Sequence, residues 1–236
     1  MAEKKKTVTK RQAPARQRPV AAAAKQVVAP LVAQPVAPLR LDLGCGKNKR
    51  DGFTGVDELS FEQVDVCANL GVTPWRFEPR PGRPTLPLRR DGTLPDDSVD
   101  EAHCSHFLEH LTWAQRVPFI NELYRVLKPQ AKCLLIIPHW NSARFYGDPD
   151  HKEPLSEWAF FYWDANWRRD NAPHTKYDCH FGVTYSYNLH PELVPRNQEY
   201  QLYALKFYKD AAQDVVATLT KQPMPEAPPA PVAAPR

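Results

Sequence analysis

Leu39-Arg-Leu-Asp-Leu-Gly-Cys-Gly46, followed eleven residues after its second glycine by Asp57 in Phe53-Thr-Gly-Val-Asp57, decides the fold of this 236-residue chain. Leu39–Leu43 is a short apolar run ending in glycine, the pattern of a buried strand entering a tight turn. Residues 53–57 repeat that pattern. Gly44 and Gly46 carry no Cβ, so backbone there can approach a ligand closely.

Three ligand classes use such a loop after a first strand. A Walker phosphate loop is excluded, because Gly46-Lys47-Asn48 lacks both its spacing and its hydroxyl. A dinucleotide fingerprint is disfavoured: Lys49 stands where its third glycine belongs, and the loop has little room for a helix to receive a pyrophosphate. Asp42 would repel that pyrophosphate, but it suits an ammonium and a sulfonium. Asp57, at the end of the second strand, is placed to accept from both hydroxyls of a ribose. Ammonium, sulfonium and ribose together describe S-adenosylmethionine.

Further strands are expected at residues 63–67, at 98–104 and, most clearly, at 131–137 (Ala-Lys-Cys-Leu-Leu-Ile-Ile). Between the last two, residues 112–127 place Trp113, Val117, Ile120, Leu123, Tyr124 and Leu127 on one helical face, with Lys128-Pro129 as a stop. Pro118 requires either a kink or a helix that begins there. Apolar strands joined by a helix indicate a parallel α/β sheet. Nine residues separate Leu43 from Phe53, so the first crossover helix is one turn or absent. The proline-rich stretch 78–90 is expected as a surface loop. Residues 197–214 are expected as a helix with Tyr200, Tyr203, Ala204, Phe207, Tyr208 and Ala211 on its apolar face, before a last strand at 215–220.

The ends differ in composition. Residues 1–38 are rich in Ala, Pro, Lys and Arg without an aromatic residue, and 221–236 share the Pro/Ala character, so both are expected to be disordered. Residues 1–40 hold nine Lys/Arg against one Glu, so of the whole-chain net charge of +4 the stretch 41–220 carries about −5. The basic arm suits non-specific, salt-dependent contact with nucleic acid. Five scattered cysteines without a CxxC argue against a disulfide framework and fit a reducing cytoplasm. No apolar run reaches the length of a membrane span.

Asp42–Gly46, Gly55-Val-Asp57, Leu94-Pro-Asp-Asp-Ser-Val-Asp100, Phe107-Leu-Glu-His-Leu111 and Tyr124-Arg-Val-Leu-Lys-Pro129 together resemble the ordered motifs of class I S-adenosylmethionine-dependent methyltransferases. The nearest likeness is to bacterial and phage members whose first helix is shortened. It covers residues 38–138 strongly and 139–220 more weakly. The resemblance implies a Rossmann-like, doubly wound seven-stranded sheet with the last strand antiparallel, occupying residues 39–220. It also implies that Gly44, Cys45 and Gly46 meet the methionine part of the cofactor beside Asp42, that Asp57 meets the ribose, and that Asn69 and Leu70 meet the adenine. Asn69 departs from the acidic residue commoner there, and Pro129-Gln-Ala departs from Pro-Gly-Gly.

Methyl transfer from a sulfonium needs an aligned acceptor and, where the acceptor carries a proton, a base. Candidates follow the strand ends: His106, Glu109 and His110 after the fourth strand, then His139 and Trp140, then Tyr146, Asp148, Asp150 and His151. His139 and His151 lead as catalytic groups, with His106, Trp140, Tyr146, Asp148 and Asp150 on the substrate side. Residues 139–190 hold five of the eight histidines and four of the six tryptophans, and are expected to cap the substrate. Trp158, Phe161, Tyr162 and Ala165 also fit a helix face packed on the core. His174, Cys179 and His180 match no ligand spacing, so no metal is expected. The DNA-methylating tetrapeptide [Asp/Asn]-Pro-Pro-aromatic and a Pro-Cys pair are absent from 39–220. The expected activity is methyl transfer to an oxygen or nitrogen of an acceptor, small or macromolecular. The alternative is a non-catalytic module of the same fold that recruits nucleic acid or a partner through its basic arm.

Overall fold

A computed structural model describes residues 37–226; residues 1–36 and 227–236, which hold most of the two expected disordered tails, lie outside it. Leu41, Leu43 and Val56 are fully buried, and they build strands β1 (Arg40–Leu43) and β2 (Thr54–Asp57), which pair in parallel. The short β3 (Val66–Cys67) extends that side of the sheet in parallel. On the other side β1 pairs with β5 (Val99–Ser105), and β5 with β6 (Leu127–Pro138), again in parallel. All these strands therefore end at one edge of the sheet, where the motifs lie.

The far side is completed by β7 (Phe181–Leu189) and β8 (Ala212–Lys221), in the order β6-β8-β7, with β8 antiparallel to both neighbours. Among the described residues the sheet has eight strands rather than seven. The extra one, β4 (Glu78–Pro79), runs antiparallel to β3 at the opposite edge, inside the stretch expected to be loop alone. Without β4 the order is that of the expected doubly wound sheet, and its last strand is antiparallel as expected.

Residues 44–53 cross from β1 to β2 without a helix, as the nine-residue gap requires. Segment 68–98 is also free of helix, and Trp75 supplies apolar cover there. Its fully buried ring meets Phe119 with centroids 5.1 Å apart, and its Nε1 donates to the Leu70 carbonyl at 3.0 Å. Burial of such a side chain contributes on the order of 2–3 kcal/mol.

Helix α1 (Trp113–Val126) starts at Thr112, whose N–H donates to Gln115 Oε1 at 3.0 Å, and it continues through Pro118. Its buried face is Arg116, Phe119, Ile120, Glu122, Leu123 and Val126, rotated from the expected one, and Trp113 is exposed. The helix ends at Val126, just before Lys128-Pro129 as expected, and β6 begins at Leu127.

Helix α2 (Ala143–Tyr146) and α3 (Ala165–Asn171) are short, and a 3-10 turn spans Glu157–Trp163. The residues buried from that region are Phe160 and Trp163, whereas Trp158 and Phe161 are exposed. The expected apolar helix near the C-terminus is shorter than 197–214: α4 covers Gln198–Phe207, and Ala212 already belongs to β8. Only Ala204 of α4 is buried; Tyr200, Tyr203 and Phe207 are exposed. Residues 221–222 belong to the fold rather than the tail, since buried Lys221 ends β8 and donates to the Leu127 carbonyl at 2.7 Å.

Candidate functional site

The loop after β1 holds itself in shape with carboxylates close in sequence. Buried Asp42 accepts from the Arg50 N–H at 2.7 Å through one oxygen and pairs with His103 Nδ1 at 2.7 Å through the other. Asp57 accepts from the N–H of Gly46 and of Leu59, both at 2.9 Å. Asp65, buried, accepts from the Gly55 N–H at 2.9 Å and from Lys49 Nζ at 2.8 Å. Lys49, which replaces the third glycine of a dinucleotide loop, thus pins the loop to the start of β3. Asp65 was not singled out from the sequence.

The two glycines do different things. Gly44, at φ +69°, would place a Cβ 2.3 Å from the Phe107 ring, so its missing side chain serves close packing of the loop on the turn after β5. Gly46, at φ +52°, has nothing among the described residues within 4 Å of its Cβ position. Open space therefore fronts Gly46, whose N–H is bonded to Asp57. Burial, then Asp42, Asp57 and Asp65, push the Cys45 thiol up to about 12, so it is no nucleophile and the loop lies in a negative field. A positively charged ligand fits that field; a pyrophosphate does not. Each oxygen of Asp57 keeps a second lone pair for a diol.

Beyond β3 lies a cleft of about 570 Å³ lined by Glu58, Cys67, Ala68, Asn69 and neighbours. Asn69 is exposed there, its Oδ1 accepting from the Gly71 N–H at 2.9 Å and retaining a lone pair. Leu70 does not line the cleft: its side chain is buried in the core.

The larger cavity, about 950 Å³, does not touch the glycine loop. Its wall is aromatic, with Trp113, Trp140, Trp158, Tyr162, Tyr177 and Tyr187, and Leu202 and Leu205 of α4 close one side. Its polar groups include His139 and Glu157. His139 and Trp140 directly follow β6, which places this wall at the sheet edge that also carries the loop. Burial lowers the His139 pKa, with Glu157 opposing weakly, so the imidazole is neutral at pH 7. Tyr187 donates its hydroxyl to Glu157 Oε1 at 3.0 Å, while Glu157 Oε2 is buried without a partner among the described residues. Nothing in the sequence near Glu157 marked it, because its partner sits 30 residues away on β7.

The structure separates the two leading catalytic candidates. His139 lines the cavity; His151 does not, and lies instead against Glu109 and His110. His106 joins that second group from φ +52°, its Nδ1 3.3 Å from Glu109 Oε1. Glu109 raises the His106 pKa, against burial that lowers it. Of the expected substrate residues only Trp140 lines the cavity; Tyr146, Asp148 and Asp150 are exposed outside it. His174, Cys179 and His180 are not brought together as a ligand set: Cys179 packs by Arg168, and His180 Nδ1 accepts from the Ala165 N–H at 3.1 Å.

Residues 54–135 match the family model described as a methyltransferase domain. No curated protein sequence matches the chain. Among solved structures, a SAM-dependent methyltransferase from Archaeoglobus fulgidus is similar at 19% identity and TM-score 0.50, over 78% of this chain and 86% of that one. A second, from Mesorhizobium loti, aligns at 11% identity and TM-score 0.46 over 78% and 91% of the two chains. A Haemonchus contortus phosphoethanolamine N-methyltransferase in complex with S-adenosyl-L-methionine aligns at 12% and 0.45, over 81% of this chain and 50% of that one.

Proposed function

We propose that this chain, whose residues 54–135 match a methyltransferase-domain model, is a class I S-adenosylmethionine-dependent methyltransferase that binds S-adenosylmethionine over Gly44–Gly46 and methylates an oxygen or nitrogen of a planar, largely apolar acceptor in the aromatic cavity. The observation that carries this reading is the open space at Gly46, fronted by Asp57 and set in the field of three carboxylates. Once bound, the cofactor supplies an electrophilic methyl group. The chain's own residues do the rest. Asp57 accepts from the ribose hydroxyls, at roughly 1.5–3 kcal/mol for each charge-assisted bond. Asp42, with both oxygens engaged, acts by holding the loop and by its charge. Asn69 receives the adenine amino group through its Oδ1.

On the acceptor side, Trp140 and Trp158 hold the ring by its faces. Neutral His139 takes the proton that leaves the acceptor's O–H or N–H, a step worth about 10²–10⁴-fold in rate, and the Glu157 carboxylate stabilises the imidazolium that forms. His106, Tyr146, Asp148 and Asp150 have no place in this cavity. Residues 1–38 contact nucleic acid non-specifically through their basic charge, a binding that salt weakens.

The test is release of S-adenosylhomocysteine by the full chain with a panel of phenols and aromatic amines. Turnover with at least one, lowered at least about tenfold by His139→Ala, supports the acceptor assignment. Turnover unaffected by both His139→Ala and Glu157→Gln contradicts it.

A further inference from the structure

We infer that Glu109, His110 and His151 form a binding site for a divalent transition-series cation of the zinc, manganese or cobalt kind. Glu109 is only 3% exposed, and neither of its carboxylate oxygens receives a hydrogen bond among the described residues. A buried carboxylate left this way is costly unless a ligand completes it. Arg116, also buried, makes no ion pair with it; that guanidinium bonds the Leu108 and Glu153 carbonyls instead. His106 Nδ1, 3.3 Å from Oε1, comes close without the geometry of a hydrogen bond.

His151 faces this carboxylate with its free nitrogen. His151 Nδ1 donates to the Phe145 carbonyl at 2.7 Å, which leaves Nε2 as the lone-pair nitrogen, 3.9 Å from Glu109 Oε1. Fixing a ligating imidazole by a backbone carbonyl on its other nitrogen is the usual support of a metal-bound histidine. His110 meets the His151 ring edge-on at 4.8 Å, and one ligand atom from each of the three residues lies within 4.8 Å of the others. The Lys152 N–H donates to the Glu109 carbonyl at 2.8 Å, tying the two chain segments together at the site.

Tetrahedral ligands at bond lengths of about 2.0–2.2 Å stand about 3.4 Å apart, so small side-chain rotations close the cluster on an ion. Two imidazoles and one carboxylate prefer zinc-like cations over calcium or magnesium. The Asp148 carboxylate, 3.8 Å from His151 Nε2, is exposed at the rim as a fourth ligand. The site follows β5 at the same sheet edge as the glycine loop, and its three ligands are separate from the residues assigned to cofactor and acceptor.

The test uses the metal-stripped, untagged full chain titrated with cobalt(II), read by visible absorption and calorimetry, beside Glu109→Gln and His110→Ala. One equivalent of cobalt displaced by zinc, with affinity lowered at least about tenfold in both variants, is the expected result. His110 is partly exposed, so its variant carries the test if Glu109→Gln fails to fold. Absence of cobalt binding, or equal affinity in a folded variant, overturns the site. S-adenosylmethionine titration of the same protein reads out the other assignment separately.

Discussion

The loop after β1 and the aromatic cavity reach one sheet edge by opposite means. In the loop, Asp42, Asp57 and Asp65 each accept from a backbone N–H between eight and eleven residues away. The cavity is held by contacts across longer distances, such as Tyr187 to Glu157 over 30 residues. The carboxylates of the loop are partnered; Glu157 and Glu109 keep oxygens without a partner among the described residues. The local bonds that satisfy the loop carboxylates make them shape the backbone.

That contrast is sharpest at two tryptophans of one turn. Trp163, 1% exposed, should cost about 3–5 kcal/mol in urea unfolding when changed to Ala, as a core deletion. Trp158, 66% exposed on the cavity wall, should cost under about 0.5 kcal/mol and instead raise the acceptor KM. Equal losses of stability in both variants would break the assignment of Trp158 to the cavity.

The glycines offer the next largest effect. Gly44→Ala drives a Cβ into the Phe107 ring at positive φ, and about 2–4 kcal/mol of stability should be lost. Gly46→Ala meets open space, so only about 1–2 kcal/mol of backbone strain is expected, while cofactor affinity falls because the Cβ enters the ligand's place. Thermal melts with and without cofactor separate the two.

The smallest effect concerns pH. Burial depresses the folded-state pKa of His139 below its ordinary value of about 6.5, so the unfolded chain binds the proton more readily. The stability this contributes is present above pH about 6.5 and is lost as pH falls from there through the folded pKa. His139→Gln should flatten that part of the stability curve. In turnover the acidic limb should likewise lie below pH about 6.5, and a limb above it would exclude His139 as the base.

Legibility in the sequence follows the same division. Strands β1, β2, β5, β6 and β8 were readable because buried apolar runs ended in turn residues, and Gly44–Gly46 with Asp57 because ligand chemistry dictates that spacing. The face of α1 is legible in part: Ile120, Leu123 and Leu127 are buried as expected, but Trp113 and Val117 share their spacing and line the cavity, whereas Phe119 and Val126 also face the core. Strand β7 was hidden inside the expected cap, since as an edge strand it buries little beyond Phe181. The extra β4 pairs only two residues, too few for any pattern. The cluster of Glu109 and His110 with His151 could not be read from spacing, because the turns after β5 and α2 meet only in the folded chain.

Calorimetric titration of the full chain with S-adenosylmethionine and S-adenosylhomocysteine, beside Asp57→Ala, tests the central claim most directly. Micromolar binding, weakened at least about tenfold in the variant by loss of the carboxylate's bonds to the ribose, is the expected result. Equal affinity in both proteins, or no binding by the intact chain, would contradict it.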